Sequence, residues 1–217
     1  MTNLFRGSLD MEEFKLNGLN ISSVTSVANM FVDNPNLKSI NIDGVDFGTL
    51  SVNTVFNMLL SPTIETVDLS KTSLQGQLQY NASSWSNFNL FSDIKGLKNL
   101  IVPNIDFFFR GTGGFFSNAP LEVLKIGTLS GTYYNGNYMQ GTFRFSMMFS
   151  GRKYLKEASV KELIFNSSLT QYLNLSSMFS GCTSLETFDL GNSDTSYNIS
   201  LNSMFRNCQS IETIDLS

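Results

Sequence analysis

Met178-Phe179-Ser-Gly-Cys182-Thr-Ser-Leu185-Glu-Thr-Phe188-Asp-Leu190 is followed, 26 residues on, by Met204-Phe205-Arg-Asn-Cys208-Gln-Ser-Ile211-Glu-Thr-Ile214-Asp-Leu216. Met, Phe, Cys, Ser, Glu, Thr and Asp recur at matched places, and self-similarity at such a period marks a repeat architecture. The apolar-x-x-apolar-x-apolar half of the unit recurs upstream. It reads Met11-Glu-Glu-Phe14-Lys-Leu16, Leu37-Lys-Ser-Ile40-Asn-Ile42, Ile64-Glu-Thr-Val67-Asp-Leu69, Leu97-Lys-Asn-Leu100-Ile-Val102, Leu121-Glu-Val-Leu124-Lys-Ile126 and Val160-Lys-Glu-Leu163-Ile-Phe165. Starts at 11, 37, 64, 97, 121, 160, 185 and 211 give steps of 26, 27, 33, 24, 39, 25 and 26. A period near 25 accounts for five steps, and the two long ones mark insertions.

A Phe preceded by another large apolar residue stands six residues before the strand motif at Met30-Phe31, Leu90-Phe91, Met178-Phe179 and Met204-Phe205. Val27, Leu175 and Leu201 lie four residues before that Phe, a spacing that reads as one short helical turn facing inward. Met148-Phe149 with Phe145 follows the pattern with a stretched downstream spacing. The motif after the turn alternates with period two, as a short strand does. One unit cannot bury its own apolar edge, but stacked units share a continuous core. The reading is therefore an α/β leucine-rich-repeat solenoid of about eight coils. One face is a parallel β-sheet and the other is short helical or irregular turns. It forms a single repeat domain over 1–217, regular at 9–70 and 155–217 and degenerate, with loop insertions, over 71–154.

Composition narrows the function. The 217 residues include no histidine, which removes histidine general bases, Ser–His–Asp and Cys–His arrangements and histidine-containing zinc sites. Two cysteines are too few for a cysteine-only zinc site, and no cofactor is expected. A net charge of −4 leaves no general basic surface for nucleic acid. No stretch approaches the roughly 18 to 20 apolar residues of a membrane span. The opening MTNLFRGSLDMEEFKLNG has neither a basic n-region nor an apolar h-region, so it does not read as a signal peptide. An enzyme built on paired carboxylates would need two acids about 5 to 9 Å apart in one cleft, and no motif identifies them.

The repeat resembles the BspA-like leucine-rich repeats, also found in Mycoplasma-type surface lipoproteins, whose pattern is close to MF-x-x-C-x-x-L-x-x-L-D-L-S with a Thr-Ser-Asn-rich turn. Here Asn192-Ser-Asp-Thr-Ser-Tyr197-Asn198 holds the turn position. The match is close over 176–217, recognisable over 27–43 and degenerate between 50 and 165. The resemblance implies a right-handed solenoid in a secreted or surface protein that adheres to host proteins, other cells or carbohydrate, without a catalytic site. The expected role is a recognition module for a protein or glycan partner. The alternative is a structural or receptor-binding component of a virion or surface assembly. The last strand motif falls at the final residues, which fits end-to-end or homo-oligomeric contact through that coil.

Candidate partner-binding residues come from two places. Tyr133, Tyr134, Tyr138 and Met139 stand in a Tyr/Asn/Gly/Ser-rich insertion, and Trp85 stands in the other; rigid amphipathic rings among adaptable polar neighbours are the composition of binding loops. Alternatively, those rings fold back over an irregular coil. The outward strand positions form two ladders. One runs Lys15, Asn41, Asp68, Ile101, Lys125, Ile164, Asp189 and Asp215; the other runs Glu13, Ser39, Thr66, Asn99, Val123, Glu162, Thr187 and Thr213. From the first ladder Asn41, Asp68, Lys125, Asp189 and Asp215 are candidates, against the reading of a simply solvated sheet. Cys182 and Cys208 hold one repeat position a coil apart, as buried thiols or as a disulfide. Five Asn-x-Ser sequences, at Asn20, Asn81, Asn166, Asn174 and Asn198, fit the glycosylation acceptor pattern.

Overall fold

The computed structural model describes residues 1–48, 50, 58, 61–70, 72, 78–79, 94–108, 119–132, 142–144, 146–165, 172–193 and 198–216. Eight strands stand side by side in chain order: β1 (Glu13–Lys15), β2 (Ser39–Asn41), β3 (Thr66–Asp68), β5 (Asn99–Phe108), β6 (Val123–Thr132), β8 (Glu157–Phe165), β10 (Thr187–Asp189) and β12 (Thr213–Asp215). Every pairing is parallel. β4 (Leu78–Gln79) adds beside the far end of β5, making a nine-stranded sheet. A second parallel sheet is formed by β7 (Thr142–Arg144), β9 (Tyr172–Asn174) and β11 (Asn198–Ser200). Each coil thus returns to the same sheet one strand further along, which is the solenoid.

The spine follows the repeat. Phe14, Ile40, Val67, Leu100, Leu124, Ala158, Phe188 and Ile214 stand in register on successive strands. Leu37, Ile64, Leu97, Leu121, Leu155 and Leu185 form a second buried column, and Ile42, Leu69, Val102, Ile126, Val160 and Leu190 a third. Behind them the repeat phenylalanines stack. Phe5 and Phe31 lie 5.8 Å apart and nearly parallel, as do Phe149 and Phe179 at 5.3 Å and Phe179 and Phe205 at 5.9 Å.

The sixth coil corrects the expected register. Ala158, not Leu163, takes the spine position between Leu124 and Phe188. The motif is therefore Leu155-Lys-Glu157-Ala158-Ser159-Val160, and Met148-Phe149 stands six residues before it, with no stretching. Leu163 is also in the sheet, paired with Leu129 of β6, because β5, β6 and β8 run on into a second band. The band ends at Gly191. There φ is +57° and a Cβ would lie 2.2 Å from the Lys161 carbonyl oxygen, so glycine alone lets the chain turn against β8. Ser193 Oγ then accepts the Leu163 N–H at 3.1 Å and donates to the Leu190 carbonyl at 2.6 Å, satisfying the backbone where β10 stops short.

Opposite the sheet the chain takes the irregular alternative. Met58 is the only helical residue among those described. The inward i, i+4 apolar pairs sit instead on turns with positive φ at both ends, as at Ser177 and Gly181, Ser203 and Asn207, or Asn29 and Asp33. Such turns leave N–H groups aimed at the next coil. Ser177, Phe179 and Gly181 donate to the carbonyls of Asn202, Met204 and Arg206 at 2.9, 3.0 and 2.7 Å. Asn3, Phe5 and Gly7 bond to Ala28, Met30 and Val32 in the same way, so the first such turn lies at the start of the chain, on Leu4-Phe5. A helix would have spent those donors on itself.

Candidate functional site

The outward sheet face carries two rows of side chains in register. One reads Glu13, Ser39, Thr66, Asn99, Val123, Glu157, Thr187 and Thr213; the other reads Lys15, Asn41, Asp68, Ile101, Lys125, Ser159, Asp189 and Asp215. Asn41, Asp68, Lys125, Asp189 and Asp215 thus fall on one row, as expected from the repeat. Glu157 and Ser159 replace the expected Glu162 and Ile164, a direct result of the corrected register. The tyrosine-loop residues Tyr133, Tyr134, Tyr138 and Met139, and Trp85, lie outside the described residues.

Three members of the second row, Asn41, Asp68 and Asp189, have an internal duty. Asn41 Oδ1 accepts the Asp43 N–H at 3.0 Å, Asp68 Oδ1 the Ser70 N–H at 2.9 Å, and Asp189 Oδ1 the Gly191 N–H at 2.7 Å. These are Asx turns: a short acceptor side chain holds the backbone two residues on and ends the strand. Asn20 and Asn174 do the same for Ser22 and Ser176 at 2.9 Å, so these two Asn-x-Ser sequences are turn caps in the fold. Asp189 and Asp215 are directly opposite one another and both exposed. Among the described residues no group of three or more His, Cys, Asp or Glu could hold a metal ion.

The middle of the face differs from its ends. Ile101 and Val123, on adjacent strands, are half-buried apolar side chains. Around them run ion pairs between neighbouring coils: Lys98–Glu65 at 3.1 Å, Lys125–Glu157 at 2.8 Å and Lys156–Glu122 at 2.8 Å. Lys156, then Lys98, holds the Glu122 carboxyl below the usual range; Glu122, then Glu186, raises Lys156. Asn99 Nδ2 donates to Thr66 Oγ1 at 3.1 Å. Glu157 escaped the sequence reading, although the Met148-Phe149 spacing to Leu155 was enough to place it.

The cysteines take the buried-thiol alternative: both are free. Cys182 Sγ donates to the Phe149 carbonyl and Cys208 Sγ to the Phe179 carbonyl, each at 3.2 Å and each one coil back. Burial pushes the Cys182 thiol up to about 12 and raises Cys208 as well, so neither is primed as a nucleophile. Asn34 occupies the same repeat position and reaches the first coil differently, its Oδ1 accepting the Ser8 N–H at 2.8 Å.

No helix among the described residues is long and apolar enough to cross a membrane. No curated protein matches the chain. A family match covers residues 1–89 and 139–217, that is, both regular ends of the solenoid and more than half of the sequence. With its repeat and its stacked coils, the chain belongs to the family described as Mycoplasma protein of unknown function, DUF285.

Proposed function

We propose that the chain is a non-catalytic recognition module of an extracellular or cell-surface protein, adhesin-like in the manner of BspA-like repeats, and that it binds a protein or glycan partner on the outward sheet face. One observation carries the reading. Eight in-register strands present two rows of side chains whose centre, Ile101 and Val123, is apolar and ringed by ion pairs already matched within the protein. An apolar centre inside a polar rim is the anatomy of a binding patch. Charges already paired favour a partner recognised by contact and hydrogen bonding over one recognised by net charge. The Mycoplasma family membership and the repeat motif support the surface location.

The test compares the wild-type chain with I101S/V123S and with Y133A/Y134A/Y138A on a glycan array and a panel of immobilised host-surface proteins. Binding that falls at least tenfold in I101S/V123S, with the melting temperature kept within a few degrees, supports the face. Loss confined to the tyrosine variant moves the site to the 131–139 insertion. A wild-type chain that binds nothing, and runs in native mass measurements as a multiple of 24.1 kDa, replaces recognition with assembly.

A further inference from the structure

A third row runs beside the two described, made by the residue just after the first core position of each coil. It reads Glu12, Lys38, Glu65, Lys98, Glu122, Lys156, Glu186 and Glu212. Its backbone is continuous. Lys38, Glu65, Lys98, Glu122, Lys156, Glu186 and Glu212 each donate an N–H to the carbonyl of the rung before, at 2.9, 3.0, 2.8, 2.7, 2.8, 2.8 and 2.8 Å. The sign of the charge alternates through seven rungs and fails only at the last step, where Glu212 follows Glu186.

Isolated exposed ion pairs contribute little to stability, so seven alternating rungs call for another account. The apolar spine orders the coils only weakly, because every coil offers an apolar-x-x-apolar-x-apolar string and differs from the others only in which apolar side chains fill it. The charge row can separate them. Looping out the Lys38 coil sets Glu12 on Glu65, and looping out the Glu65 coil sets Lys38 on Lys98. Omitting the Lys98, Glu122 or Lys156 coil sets Glu65 on Glu122, Lys98 on Lys156 or Glu122 on Glu186. Like charges on neighbouring strands are unfavourable, so every one of these omissions exchanges attraction for repulsion. The Glu186 coil is the exception: omitting it brings Lys156 to Glu212, an attractive contact. The two coils that the charge row fails to tell apart are the two that are most alike in sequence.

We propose that this row is a coil-order code, which steers folding of repeats with the same apolar pattern away from skipped-coil arrangements everywhere except at the Glu186–Glu212 step. Cysteine trapping during oxidative refolding of the full chain, in a C182S/C208S background, tests it. T66C/V123C can cross-link only when the Lys98 coil is skipped, and E157C/T213C only when the Glu186 coil is skipped, since in native order each pair is two strand spacings, about 9.6 Å, apart. The expected result is cross-linking at 157–213 and almost none at 66–123. Adding E122K, which makes the skipped contact attractive and the native one repulsive, should raise the 66–123 product several-fold. Adding E212K should lower the 157–213 product several-fold, and 1 M NaCl should erase both effects. Yields unmoved by either charge reversal, or moved equally in high salt, overturn the proposal. A second measurement needs no cysteines. E212K extends the alternation to the last coil and should raise the melting temperature about 1 to 3 °C above that of E212Q at low salt. Equal melting temperatures overturn the code at that step.

Discussion

The thiol of Cys182 donates its hydrogen to the carbonyl of Phe149, one coil back, at 3.2 Å. Cys208 repeats the bond to Phe179, so the repeat cysteine is a side-chain tie between coils. C182A should cost about 1 to 2 kcal/mol by removing the thiol's hydrogen bond and its buried packing, while the Phe149 carbonyl keeps the Arg152 N–H at 3.3 Å. Chemical denaturation of wild type and variant checks it.

Alkaline pH acts on the same tie. The folded thiol of Cys182 is raised to about 12 while the unfolded one titrates near 9. Its stabilising effect is complete below the unfolded value and fades as pH rises from there through the folded one. Wild type should lose stability over that window with a steeper slope than C182A. In native buffer at pH 8 a thiol reagent should modify Cys182 only on the timescale of unfolding. Rapid labelling of the native chain contradicts the buried tie.

The Asx turn at Asp189 and the glycine it holds give paired expectations. G191A forces a Cβ onto the Lys161 carbonyl at positive φ and should destabilise by more than about 2 kcal/mol. D189N keeps an acceptor for the Gly191 N–H and should be nearly neutral, whereas D189A loses it and should cost about 1 kcal/mol. A G191A variant as stable as D189N would show that the chain does not turn so tightly there.

Glu122 and Lys156 report on the ion pair between their coils. The Glu122 carboxyl, lowered by Lys156 and by Lys98, contributes stability above the ordinary glutamate range, lost as pH falls through its own depressed value. Lys156, raised by Glu122 and Glu186, contributes below the ordinary lysine range and loses the contribution as pH rises through its elevated value. An NMR titration should place the Glu122 midpoint below that of an exposed glutamate, and K156A should return it most of the way. A midpoint indifferent to K156A removes the pair.

Phe179 lies between Phe149 and Phe205 and tilts against Phe188 at 4.9 Å. F179A should cost about 3 to 5 kcal/mol. Because each coil leans only on its neighbours, the damage should be local. Hydrogen exchange should rise in the Phe149 coil and on through the last two coils, and stay near wild type in β1 to β3. A uniform rise across the chain would mean that the coils unfold as one unit.

Most of the fold was legible because apolar spacing fixes the register of a repeat. Seven of the eight strands that carry the spine fall where Leu-x-x-apolar-x-apolar placed them. The sixth was misplaced because Val160-Lys-Glu-Leu163-Ile-Phe165 is a more apolar string than Leu155-Lys-Glu-Ala158-Ser-Val160. Both lie in or against β8, and only the Met148-Phe149 spacing separates them. At Asn29–Asp33, Ser177–Gly181 and Ser203–Asn207 the turn is irregular rather than helical, for a related reason. An apolar pair four apart points to one side of a helix and also to one side of a turn bounded by Ser177 and Gly181 at positive φ. Side-chain duty was less legible than position. Asn41, Asp68 and Asp189 look ligand-facing from alternation alone, yet Asp43, Ser70 and Gly191 two places on already carried the signature of a capped turn.

Among the described residues, the first two coils and the last three are fastened to one another along two separate lines, the sheet ladder on one side and the Ser177–Gly181 type of turn on the other. Coils held along both edges resist twisting and shear, because neither edge can slide without the other. Tension along their length meets both fastenings of a single coil at a time. Under stretching the protein should therefore pay out chain in steps of roughly one repeat, like a ratcheted tether.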